Sequence, residues 1–153
     1  MERELRQALK NGKFENVDNI VSQRMKAIYS KGTGPERVLK IIIRSLVPKR
    51  KRVYFNHTMV GKPDIFIPSI RLAIFCDGCF FHGCREHGHI PKVNSAYWAK
   101  KIDLNIKRDS RKRQLLRKNG YHVWRIWEHQ LNDRSSCQRL KRNLARRPLI
   151  RHF

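Results

Sequence analysis

Gly61 to His87, GKPDIFIPSIRLAIFCDGCFFHGCREH, holds two short apolar runs, Ile65–Ile67 and Leu72–Phe75, on either side of a Pro68-Ser69 break. Both runs are β-branched or aromatic and bounded by turn residues, the pattern of two paired strands. Asp64 stands at the mouth of the first. The second runs into Cys76, Asp77, Gly78, Cys79, Phe80, Phe81 and His82, then Cys84 and His87. Acid, thiol and imidazole groups thus crowd the end of a buried strand. Apolar side chains are the rule there, so the crowding asks for a chemical reason.

Upstream, Thr33-Gly34-Pro35-Glu36 has the form of a capping box, with Thr33 as N-cap and Glu36 reaching back to it. Val38, Leu39, Ile42, Ile43 and Leu46 follow at helical spacing, and Pro48 ends the run. On local grounds Glu36 is a cap. Lys49 to Arg52 is a basic turn, Val53–Phe55 reads as a strand, and Gly61-Lys62-Pro63 is a turn. Downstream, Ser95 is placed to cap a long helix to about Lys118, stopped by Asn119-Gly120. Trp98, Ile102, Ile106 and Leu116 mark its apolar side. Lys100, Lys101, Lys107, Arg108, Arg111, Lys112 and Arg113 make much of the rest basic. Val123–Trp127 reads as a strand ending in Glu128-His129, and a last helix is expected over 135–146. This order gives one α/β domain, a mixed central sheet flanked by helices, over 22–147. Residues 1–21 are expected to be an N-terminal extension or arm, Ser22–Ile28 a basic helical turn, and 148–153 a short tail.

At 153 residues a single domain with a core of useful size is the simplest organisation. Lys plus Arg is 35 against 12 Asp plus Glu, a net charge of +23 that favours a polyanion, with nucleic acid the default. The bland alternative is a solvated basic surface. No apolar run is long enough to span a membrane and MERELRQALK lacks a signal-peptide core, so no membrane contact and a cytoplasmic location are expected. Of the four cysteines three are bunched, which suits a reduced compartment and a metal better than a disulfide framework.

Cys79, Cys84 and His87 form C-x4-C-x2-H, thiolate and imidazole donors of the kind tetrahedral zinc prefers. A fourth ligand must come from elsewhere. His129 is the best placed, with Cys137, His89 and His82 as alternatives. The competing explanation, buried cysteines acting as small hydrophobes, is the weaker one. Asp64, Asp77, His82 and Glu36 form a second constellation. Carboxylate oxygens bind Mg²⁺, which polarises a phosphodiester, and an imidazole titrating near neutrality can deprotonate water. A lone Pro-Asp is a weak signal. The acid-x-Lys that nucleases usually carry on the second strand is missing, since Cys76-Asp77-Gly78 offers no lysine.

The run GKPDIFIP, AIFCDGCFFHGC, EHG, PK, YWAKKI, RD and RIWEH, with SQRMKAI and TGPERVLK upstream, resembles the very short patch repair (Vsr) endonucleases over roughly 22–145. The resemblance implies a PD-(D/E)xK-like, restriction endonuclease-like fold, a structural zinc, and Mg²⁺-dependent nicking of double-stranded DNA beside a T:G mismatch. It also implies a monomer, associated with the nucleoid of a prokaryote. By motif, Asp64 matches the metal-binding aspartate, Cys76 the second metal contact (partly a backbone carbonyl), and His82 the general base. Glu36 matches a glutamate near the scissile phosphate. Cys79, Cys84, His87 and His129 match the zinc positions. Phe80, Phe81 and Trp98 match aromatics that wedge into the DNA stack. Lys62, Lys100, Lys101, Lys107 and Arg108 are candidate phosphate contacts.

The best-studied member of the family has threonine and histidine where this chain has Cys76 and Asp77, so Asp77 either adds a carboxylate to the metal or replaces a phosphate contact. Three activities compete: a mismatch-nicking repair enzyme, a related homing or modification-dependent endonuclease, and a nonenzymatic zinc-stapled nucleic-acid-binding module. The last leaves Asp64, His82 and Glu36 without a purpose.

Overall fold

A computed structural model describes residues 32–151. The 1–21 extension and the Ser22–Ile28 turn lie outside the described residues. Helix α1 spans Gly34–Leu46, strand β1 Tyr54–Phe55, β2 Ile65–Ile67 and β3 Leu72–Asp77. Helix α2 spans Ser95–Lys118, β4 His122–Trp127, α3 Arg134–Ala145 and the short α4 Pro148–Arg151. The sheet order is β1-β2-β3-β4, antiparallel except for the parallel β3–β4 pair. The α/β domain with a mixed sheet is therefore as expected.

Strand β3 outruns the apolar stretch Leu72–Phe75 because its two edges end at different places. Pairing with β2 stops at Ile65↔Ile74, whereas the parallel ladder with β4 continues to Asp77↔Trp127. The Pro68-Ser69 break is a single 3-10 turn over Pro68–Ile70, closed by Arg71 in a left-handed conformation. Alternation along β3 divides the molecule. Leu72 and Ile74 face the main core, with Leu39, Ile43, Trp124, Ile126, Leu140 and Leu144 from α1, β4 and α3. Ala73 and Phe75 face Leu116 of α2.

Three local expectations need correction. Glu36 does cap α1, but its carboxylate takes the Gly32 N–H at 2.8 Å and the Thr33 hydroxyl at 3.2 Å, not the Thr33 N–H. Gly32, at φ 70°, brings its own N–H to the helix end instead. Ser95 is the first helical residue and not the cap; Asn94, at φ 56°, precedes the helix without a side-chain cap bond. Ile106 is 39 % exposed, and the buried stripe of α2 runs Trp98, Ile102, Asp109, Leu116. An acid thus occupies a core position, seven residues from an apolar neighbour on either side. At the C-terminus Pro148–Arg151 forms a helical turn that buries Ile150. Among the described residues no helix is long and apolar enough to cross a membrane.

Candidate active site

A cleft of about 760 Å³ opens at the C-terminal end of β3, between the start of α1, the Gly61-Lys62 turn and α2. Glu36, Asp64, Cys76, Asp77, Phe81 and His82 all line it. Asp64 is fixed where the β2–β3 ladder ends. Its Oδ2 accepts the Cys76 N–H at 2.7 Å, taking the place of the next strand carbonyl. Burial pushes the Asp64 carboxyl up to about 6; the Cys76 N–H opposes this, and the Glu36 and Asp77 charges add to it. Burial, then the Asp64 and Glu36 charges, hold the Cys76 thiol well above the ordinary thiol range. The side chain packs against the main core.

On the opposite wall, His82 Nδ1 lies 2.7 Å from Asp109 Oδ2 of α2. This bond fixes the ring and leaves Nε2 as the second nitrogen. Burial alone would raise the Asp109 carboxyl. Hydrogen bonds from His82 and Arg108 outweigh it and bring the group down to about 2. Asp77 is 5 % exposed and pairs with Arg125 of β4, with Arg113 of α2 at 3.6 Å. Asp109, Arg113 and Arg125 were not singled out from the sequence as site residues. The signal for Asp109 was present: it is the one acid in KRDSRKR, and it falls on the apolar stripe of α2.

Beside the cleft, the ligand atoms of Cys79, Cys84, His87 and His129 lie within 4.8 Å of one another. The parallel register explains this. Asp77 pairs with Trp127, so Cys79 and His129 each stand two residues beyond a matched position. His129 Nδ1 is 3.2 Å from Cys79 Sγ and 3.6 Å from Cys84 Sγ. A tetrahedral thiolate–imidazole site requires separations of roughly 3.5 Å. Of the four alternatives for the fourth ligand, only His129 joins the set. Cys137 donates to the Leu131 carbonyl, His89 lies against Phe80, and His82 is held by Asp109. Glu128 ties the two turns together by accepting the Cys79 N–H at 3.0 Å. Gly83, at φ 63°, lets this loop press on α2, since a Cβ there would sit 2.6 Å from Ile106 Cδ1.

The aromatic residues form one cluster. Phe80 packs on Phe81 at 4.9 Å and on Trp98 at 5.0 Å between ring centres. Trp98 is buried, while Phe80 and Phe81 are half-buried above it. Of the candidate phosphate contacts, Lys62 and Arg108 line the cleft. Lys101 lies against Tyr97 and Trp98, Lys107 pairs with Asp103 at 2.7 Å, and Lys100 is exposed. Lys112 and Arg113 also line the cleft.

Residues 18–87 match the family described as DNA mismatch endonuclease Vsr. Type II nicking enzyme V.XorIIP of Xanthomonas oryzae pv. oryzae is 37% identical over 122 residues, covering 78% of this chain and 88% of that protein. This chain belongs to the Vsr endonuclease family. Type II nicking enzyme V.NaeI of Lentzea aerocolonigenes is 36% identical over 112 residues, 71% of this chain and 68% of that protein. The DNA mismatch endonuclease Vsr of Escherichia coli is 30% identical over 118 residues, 74% of this chain and 72% of that protein. As a Vsr-family member the protein is a DNA endonuclease, and the nonenzymatic alternative falls away.

Proposed function

We propose that this endonuclease nicks duplex DNA beside a T:G mismatch, the product of 5-methylcytosine deamination, with His82 as general base. The observation that carries the reading is the His82–Asp109 pair lining the same cleft as Asp64. Asp109 holds the proton on Nδ1, so Nε2 is the nitrogen that takes a proton from the attacking water. Burial first, and then the Glu36 and Asp77 charges, raise the Asp64 carboxyl, and a dication beside it would favour the ionised form, so the donors fit a hard cation. The Asp64 carboxylate and the Cys76 carbonyl would hold Mg²⁺, with Glu36 beside them near the phosphate. That ion would supply polarisation of the phosphodiester and stabilisation of the leaving oxygen. The Cys79, Cys84, His87 and His129 donors suit zinc, which would pin the loop carrying His82 and the aromatic pair. Phe80 and Phe81, backed by Trp98, form the wedge that senses how readily a base step opens. Lys62, Arg108 and the exposed lysines of α2 hold flanking phosphates. We place this activity in a monomer in the cytoplasm.

The test is strand nicking on paired T:G and C:G duplexes, with Mg²⁺ and with EDTA. Nicking confined to the T:G duplex and to Mg²⁺ is expected. Equal cleavage of the matched duplex would overturn the mismatch reading and favour a homing-type or modification-dependent target.

A further inference from the structure

The structure surrounds Asp77 with guanidinium groups. Arg125 Nε donates to Asp77 Oδ2, and Arg113 Nη1 lies 3.6 Å from the same oxygen. Asp77 Oδ1 is 3.9 Å from His82 Nδ1, too far for a hydrogen bond, so among the described residues it is Asp109 that holds the ring. Arg125 has a second arm: its Nη2 donates to the His82 carbonyl at 3.2 Å. The guanidinium lies 3.7 Å over the Trp127 ring. Register places Arg125, Trp127, Phe75 and Asp77 on one face of the sheet. The turn from Gly78 to His82, closed by the His82 N–H on the Gly78 carbonyl at 3.2 Å, thus hangs from one fork.

We propose that Asp77 and Arg125 are a positioning clamp for His82 and that Asp77 is not a metal ligand. Asp77 anchors and neutralises Arg125, and Arg125 fixes the backbone that carries His82. A planar guanidinium can serve a carboxylate and a carbonyl at once because its donors are rigidly splayed. A lysine keeps the charge but has no such fork. This inference rests on His82 being the base.

The test uses the full chain carrying its metals, a T:G duplex, and the variants Asp77→Asn, Arg125→Met, Arg125→Lys and the Asp77→Asn/Arg125→Met double. Single-turnover nicking at saturating protein should fall about 10- to 100-fold in each single variant, the usual cost of a misplaced catalytic group. Duplex Kd and zinc content should stay at wild type. The double variant should be no slower than the slower single, because the two residues act as one unit. Arg125→Lys should recover the wild-type Tm through its ion pair while remaining slow, which a merely structural role would not produce. Mg²⁺ titrated calorimetrically into zinc-loaded, Mg²⁺-free wild type and Asp77→Asn should give the same Kd. A weakened Mg²⁺ Kd in Asp77→Asn would return Asp77 to the metal site and overturn the clamp. A wild-type rate in Arg125→Lys, or an additive loss in the double variant, would also overturn it. His82→Ala separates the two failures. If His82→Ala nicks normally, the base assignment fails. If it is inactive while Arg125→Lys is fast, the clamp alone fails.

Discussion

Asp109→Asn tests the pairing on which the cleft depends. The Asp109 carboxyl lies at about 2 against an ordinary 3.8, held down by His82 and Arg108 against the effect of burial. Its side chain is 11 % exposed, so solvent screens it little. At about 1.4 kcal/mol per pKa unit, the ionised carboxylate stabilises the native state by about 2 kcal/mol. For a domain of this length that is about 4–8 °C in Tm. Because the folded pKa is depressed, the contribution is complete above 3.8 and is lost as pH falls through about 2. Urea unfolding should therefore show wild type more stable than Asp109→Asn at pH 7, with the gap closing near pH 2. Asparagine can still accept from Nδ1, but without charge it holds the ring more weakly. Nicking should fall about 100-fold, the lower end of what a general base contributes. Nicking within a few-fold of wild type, or a stability gap that persists at pH 2, would refute the reasoning.

Asp64→Asn should abolish nicking with duplex binding retained. Because the Asp64 carboxyl is raised to about 6, its contribution to Mg²⁺-free stability is present below 3.8 and lost as pH rises through 6. The zinc-loaded variant should then exceed wild type at pH 7 without added Mg²⁺ by up to about 3 kcal/mol; urea curves showing it weaker would contradict this. Cys84→Ser and His129→Ala should each lower zinc from about one per chain and lower Tm, since a structural zinc supplies folding energy. Elemental analysis finding no zinc in wild type would remove the site, and unchanged zinc in His129→Ala would break the four-ligand assignment. Phe81→Ala should keep fold and zinc but lose discrimination between T:G and matched duplexes. Parallel nicking rates and melting curves check this, and a stable variant with intact discrimination refutes the wedge.

The strands and the main helices were legible because their signals are local. Ile65–Ile67 and Leu72–Phe75 are short β-branched runs with a proline between them, and Val38 to Leu46 keeps a helical period up to Pro48. The zinc-type donors were legible for the same reason, three of them lying within one loop. His129 follows a strand whose apolar run suits a place beside Leu72–Cys76, and the parallel register puts that strand there. The ion pairs around the cleft were not legible. Asp77–Arg125 spans 48 residues and His82–Asp109 spans 27, and no local pattern links such partners. A surface crowded with basic residues hid Arg113 and Arg125 among many equivalents. The capping details also missed, since whether Gly32 or Thr33 supplies the N–H depends on how the chain enters the helix.

The parallel β3–β4 pair is fastened at both ends. At its start the His122 N–H reaches the Arg71 carbonyl at 2.9 Å and Arg71 Nη2 reaches the Asn119 carbonyl at 2.6 Å. At its far end Cys79 and Cys84 meet His129. Between the fastenings the chain leaves the sheet and returns as α2, carrying Asp109. The consequence is one of timing. In a chain made from its N-terminus, Asp64 and His82 emerge early, yet His129 and Arg125, which donates to the His82 carbonyl, arrive only with β4 and the turn after it. The cleft therefore closes last, and a nascent or truncated chain carries the acid and the imidazole of a nuclease without the wall that aligns them.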